Sequence, residues 1–122
     1  MTRSRSMLVQ GIAAIFIISA AALVSAHMKL EKSEPAEGAT VSAPPSSIQL
    51  FFSEAPDLKV SKLTLVGPSD KATLVGTHAM GKSLMATVQG ELADGPYTVQ
   101  WQGAGDDGHV QKGEVKFVLK RK

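Results

Sequence analysis

From residue 47 onward the chain alternates between apolar and polar positions. Ile48, Leu50 and Phe52 are interleaved with Ser47, Gln49 and Phe51, the period of two expected when one face of a strand lies on a core. Short strands of the same kind are predicted around Leu63–Val66, Lys71–Val75, Ser83–Val88, Tyr97–Trp101 and Glu114–Leu119. Turn signals separate them: Pro44-Pro45, Gly67-Pro68-Ser69-Asp70, Gly81 and Asp94-Gly95-Pro96. Tyr97, Val99 and Trp101 share one face of their strand, as do Val115, Phe117 and Leu119 of theirs; both sets are expected to face the core. No segment past Ala26 carries a capped helical stripe. The pattern predicts one all-β domain, a sandwich or barrel with Greek-key connections.

The first 26 residues read differently. Arg3 and Arg5 charge the start, an uncharged apolar run extends from Met7 to Val24, and Ser25 and Ala26 close the segment with small residues. That is the three-part form of a secretory signal, with Val24 and Ala26 at the positions a signal peptidase reads. An uncleaved anchor is the competing reading, but the run is near the lower limit for spanning and Gln10 and Gly11 weaken it. Ala20-Ala21-Ala22 offers a second cleavage site, which would leave His27 internal. Arg3 and Arg5 are not adjacent, so a twin-arginine route is not indicated. The expected division is a cleaved signal peptide over 1–26 and one domain over 27–122, exported to the periplasm.

Cleavage changes the charge balance. The formal charge of +2 comes from thirteen basic and eleven acidic residues, and the excess is Arg3 and Arg5. The exported part is therefore near neutral, which removes the concentrated basic surface that nucleic-acid binding needs. Lys120-Arg121-Lys122 is expected to be a solvated tail. Cysteine is absent, so a metal must be held by nitrogen, oxygen or thioether.

Cleavage after Ala26 would also create a ligand. His27 would begin the chain with a free α-amine beside its imidazole, two nitrogens from one residue. Near the other end, Asp107 and His109 stand at spacing i, i+2 in a loop spanning Gln102 to Lys112 that also contains Gly103, Gly105 and Gly108. If that backbone is extended, both side chains project to the same side. Amine, two imidazoles and a carboxylate form the nitrogen and oxygen set that tetragonal Cu(II) prefers, whereas Zn(II) would take the same atoms toward a tetrahedron. Taken alone, Asp107-Gly108-His109 also reads as an ordinary surface turn; the combination with His27 is what points to metal.

The order and spacing of several short pieces resemble the CopC family of exported copper-binding proteins. They are His27 after the leader, Ser33-Glu34-Pro35-Ala36-Glu37-Gly38-Ala39, Ala43-Pro44, Ile48-Gln49-Leu50-Phe51-Phe52-Ser53-Glu54, Gly95 to Trp101, Asp107-Gly108-His109 and Gly113 to Phe117. The resemblance implies a seven-stranded β-sandwich, cupredoxin- or immunoglobulin-like, holding one Cu(II) per chain through His27, Asp107 and His109. It places Glu54 behind the ligands, near the amine or the His27 ring. It also implies a role in copper tolerance or uptake, often beside a membrane copper transporter; the exported chain is expected to be a monomer. Some members carry a Met-rich segment with a His for Cu(I). This chain departs from that pattern: Met28, Met80 and Met85 are scattered, no thioether cluster is expected, and His78 is read as a loop residue.

Two other classes remain open from the residues. An N-terminal His chelate with a second His resembles the copper brace of polysaccharide-oxidising monooxygenases. With one Trp, one Tyr and four Phe, Phe16 among them in the leader, the chain offers few aromatics for a binding face. Asp107 as an added donor would favour holding Cu(II) over redox cycling. The other class is a metal-free interaction module on the same sandwich. No hydrolytic triad, phosphate loop or paired acid–base carboxylates stands out, so the chain is not read as an enzyme.

Overall fold

The computed structural model describes residues 27–122; the leader expected over 1–26 lies outside the described residues. Eight strands follow one another: β1 (Leu30–Glu34), β2 (Ala39–Val41), β3 (Ser47–Phe52), β4 (Lys62–Val66), β5 (Lys71–Met80), β6 (Ser83–Gln89), β7 (Gly95–Gly103) and β8 (Gln111–Leu119). They join in the order β1-β3-β6-β5-β4-β7-β8-β2. All pairings are antiparallel except β2 with β8. β5 changes sheets along its length, pairing with β4 through Lys71 and Ala72 and with β6 from Thr73 onward.

The alternation read from the sequence is the alternation of burial. Ile48, Leu50 and Phe52 from β3 meet Tyr97, Val99 and Trp101 from β7 and Val115, Phe117 and Leu119 from β8 in one core. Phe52 and Trp101 pack edge to face at 5.2 Å, and Tyr97 stacks on Phe117 at 5.3 Å. Tyr97 donates its hydroxyl to the Ala93 carbonyl at 2.6 Å, a link back along the chain like the tyrosine corner of immunoglobulin-type sandwiches. Burial raises the Tyr97 pKa, which keeps the phenol a donor. The expectation that Tyr97 and Trp101 are core residues holds.

The all-β class holds, with eight strands where the resemblance implied seven. β1 and the three-residue β2 are short edge elements whose polar residues hide their pairing with β3 and β8. The largest correction concerns β5, which runs on to Met80. Gly76 adopts φ +65° and the register with β6 shifts between Val75 and His78. That bulge interrupts the alternation where the sequence suggested the strand had ended. His78 is thus a strand residue and not a loop residue. The Gly-rich loop is also shorter than expected, because Gln102 pairs with Lys112 and Gly103 with Gln111, leaving residues 104–110 between β7 and β8.

Candidate metal centre

One end of the sandwich brings together residues from opposite ends of the sequence. Met28 is fully buried, its Sδ-methyl group close against Gly103 at the end of β7. The next residue is fixed twice: Lys29 donates its N–H to Ser53 Oγ at 2.8 Å, and its carbonyl accepts from Ser53 N–H at 2.8 Å. The chain before β1 is thereby pinned to the end of β3, and His27 is left one residue outside the core.

The 104–110 loop is held against that point. The Ala104 carbonyl accepts from Asp57 N–H at 2.8 Å, and Gly108 N–H closes a tight turn on the Gly105 carbonyl at 3.0 Å. Gly108 has φ +72°, a conformation that glycine adopts without steric cost. Asp107 Oδ1 accepts from His109 N–H at 3.0 Å, the local side-chain-to-backbone bond that Asp favours in turns. The i, i+2 pair therefore converges by a turn, and not by the extended backbone the spacing suggested.

The three side chains meet at the carboxylate. Asp107 Oδ2 lies 2.7 Å from His27 Nδ1 and 3.4 Å from His109 Nδ1. The two imidazole rings are 5.2 Å apart, and one donor atom from each residue falls within 4.8 Å of the others. Asp107 is the most covered, its side chain 22% exposed against 49% for His27 and 70% for His109. Hydrogen bonds from the His109 backbone, then from the His27 ring, lower the Asp107 pKa below the usual carboxylate value. Ionised Asp107 thus favours the folded loop above about pH 4, and that contribution fades as acid protonates the folded form. At neutral pH the site is an anion facing two imidazoles, open to water on one side.

Glu54 lies behind this arrangement. Its Oε1 accepts from Asp106 N–H at 2.9 Å, and the carboxylate fills the space where a side chain on residue 105 would go. It fastens the turn preceding Asp107, where the resemblance placed it beside the amine or the His27 ring. Asp106 is exposed and serves the site only through its backbone. Sequence reasoning missed the positioning residues Met28, Ser53 and Gly105. Met28 next to His27 and Ser53 next to Glu54 were visible as neighbours, but their contacts cross between strands. His78 lies on β5 and is not part of this cluster.

Comparison with known proteins agrees with the fold. Residues 30–120 match the CopC domain model. Copper resistance protein C of Xanthomonas campestris pv. juglandis is 36% identical, aligned over 91% of this chain and 97% of the relative. Copper resistance protein C of Pseudomonas syringae pv. tomato is 33% identical over 98% of this chain and 100% of the relative. Among solved structures, PcoC of Escherichia coli, described as a methionine-rich copper resistance protein, superposes with TM-score 0.66 at 31% identity. That match covers 78% of this chain and 100% of PcoC. With a family match spanning nearly all the described residues and two relatives similar along their whole lengths, this chain belongs to the CopC family of copper-resistance proteins.

Proposed function

We propose that this protein works in the periplasm after loss of residues 1–26, as a monomer that holds one Cu(II) and buffers it or delivers it to a membrane transporter. The ligands are the α-amine and Nδ1 of His27, the carboxylate of Asp107 and the imidazole of His109. The observation that carries the reading is the convergence of His27, Asp107 and His109, with donor atoms within 4.8 Å, at the residue that cleavage would make the first. The ion would replace the proton shared by His27 Nδ1 and Asp107 Oδ2, and amine plus Nδ1 would close one chelate ring around it. Three nitrogens and one anionic oxygen suit a tetragonal cupric ion. The protein is a binder and not an enzyme; Asp107, already against both rings, fills a position that copper-brace oxidation would need open.

The direct test is mass spectrometry of the secreted protein, followed by Cu(II) titration and EPR. The expected result is a first residue of His27, uptake of one ion and a tetragonal spectrum with nitrogen couplings. A secreted chain that begins elsewhere yet binds equally well sinks the reading, and a processed chain that takes up no copper leaves the metal-free module. Acid should weaken binding. Asp107 stays ionised through this range, so the protons that compete are those of the nitrogens, beginning with the α-amine, whose unperturbed pKa is about 7.7–8.0. One displaced proton alone predicts about a tenfold loss in affinity per pH unit below neutrality. An affinity flat between pH 5.5 and 7 would exclude the amine as a ligand.

Gly105→Ala tests the support of the loop. The new Cβ would overlap the Glu54 carboxylate, the free end of a flexible side chain, so that carboxylate should move and release Asp106 N–H while the sandwich stays folded. Loss of such an outer partner costs roughly 10–100-fold in metal affinity. Titration with circular dichroism as the folding control should show the lower half of that range; unchanged affinity would mean that Glu54 does not position the turn.

A further inference from the structure

We propose that the outer face of β4, β7 and β8, beside the candidate metal centre, docks an extended acidic segment of a partner protein. Such docking would serve the delivery proposed above and rests on that reading for its purpose; the surface itself needs no copper. Side chains on this face alternate with the core residues Leu65, Val99, Trp101 and Val115. Register sets them in two rows. Lys62 is opposite Gln102 and Gln102 opposite Lys112; Thr64 is opposite Gln100 and Gln100 opposite Glu114. These six residues line an open cavity of about 530 Å³. Gln102 donates a side-chain N–H to the Val60 carbonyl at 3.1 Å, which draws it aside and leaves room between the two lysines.

The charge on this face is unpaired. Lys62 and Lys112 are exposed and have no ion-pair partner among the described residues, and the same is true of Lys59 in the adjoining turn. Glu114 is the one carboxylate lining the cavity, so the face keeps an excess of positive charge on a chain whose exported part is near neutral. The cavity between β1 and β8 has the opposite character: Glu31, Glu37 and Glu114 line it, and its Lys32 is already paired with Glu34 at 3.2 Å. An acidic partner is therefore steered to one face. Lys62 and Lys112 stand two strands apart, about 9–10 Å, and carboxylates on one side of an extended segment recur about every 6.6–6.8 Å, within reach of flexible lysine stems. Apolar anchors adjoin them. Leu58, 46% exposed, follows Asp57, whose N–H holds the Ala104 carbonyl, and Val110, 50% exposed, closes the same loop. Apolar contacts within a charged rim suit a protein segment, whereas a small free polyacid has no use for them. Val110 directly follows His109 and precedes Lys112 by two residues, so an occupant of this face sits beside the candidate metal centre.

The test is titration of the metal-free exported protein with a capped ten-residue peptide that alternates Glu with Ser and carries one Leu, followed by NMR of the backbone amides. Shifts should be confined to Leu58, Lys59, Lys62, Gln100, Gln102, Val110, Lys112 and their neighbours. Binding should weaken as salt rises from about 0.01 M to 0.15 M, since the screening length falls from about 30 Å to about 8 Å. Lys62→Gln and Lys112→Gln should each weaken it about two- to fivefold, and Glu114→Gln should strengthen it by a similar factor. Cu(II) titration of the same lysine variants should give unchanged affinity, and His109→Ala should leave peptide binding in place. Docking and copper binding can thus fail separately. Peptide binding that survives both lysine substitutions, shifts centred on another face, or no binding at low salt overturns the proposal, as does citrate occupying the face as tightly as the peptide.

Discussion

A protein that begins with Met before His27 will bind Cu(II) at least about 100-fold more weakly than one that begins at His27. The added residue turns the α-amine into an amide, whose lone pair is delocalised into the carbonyl and is no donor unless the N–H is stripped of its proton. It also pushes the new terminal amine about 3.3–3.6 Å along the chain. The structure gives no slack to pull it back. Met28 is buried and Lys29 is bonded to Ser53 through both its N–H and its carbonyl, so the register of the terminus is fixed. Removing an outer partner of a metal ligand costs roughly 10–100-fold, and losing a direct donor should cost at least the top of that range. Isothermal or competition titration of the two forms at one pH checks this. Equal affinities would mean that His27 binds through its ring alone, and the processing argument would fail with it.

The strands that enclose the core were legible because burial imposes a period of two on β3, β7 and β8, and the residues so identified are those that pack. β1 and β2 were not, since Leu30–Glu34 and Ala39–Val41 are short edges that gain stability from hydrogen bonds to β3 and β8 more than from buried side chains. Gly76 concealed the second half of β5 for a related reason: a bulge breaks alternation without ending pairing. At the candidate metal centre the sequence supplied the residue types and missed the mechanics. Asp107 and His109 looked like neighbours on an extended segment, whereas a bond from His109 N–H to the Asp107 carboxylate bends the chain and brings both to one side. The roles of Gly105 and Ser53 depend on contacts about fifty and twenty-four positions away, which no local pattern encodes.

These contacts bring most of the candidate site together in advance. Asp107 already faces both imidazoles, the turn that carries it is closed by Gly108 and backed by Glu54, and the segment carrying His27 is anchored in the core. Copper bound as proposed would order few groups, and affinity should depend on the donor atoms themselves more than on loop folding.

His109→Ala should cost as much as the lost amine, at least about 100-fold in Cu(II) affinity, or roughly 3 kcal/mol. The substitution removes a nitrogen without dismantling the loop, because every bond that shapes residues 104–109 uses backbone groups or Asp107 and Glu54: Ala104 to Asp57, Gly105 to Gly108, Asp106 to Glu54, and Asp107 to the backbone of residue 109. The His109 side chain is 70% exposed, so its truncation leaves no core cavity and the thermal midpoint should barely move. EPR should report the change directly as one nitrogen fewer around the cupric ion. His78→Ala is the matched control, since it deletes an imidazole on β5, outside the cluster of His27, Asp107 and His109. Cu(II) affinity and spectrum should be those of the unaltered protein. The opposite pattern, with His78→Ala crippling and His109→Ala silent, would place the cupric ion on the hairpin and leave His27 and Asp107 a hydrogen-bonded surface pair.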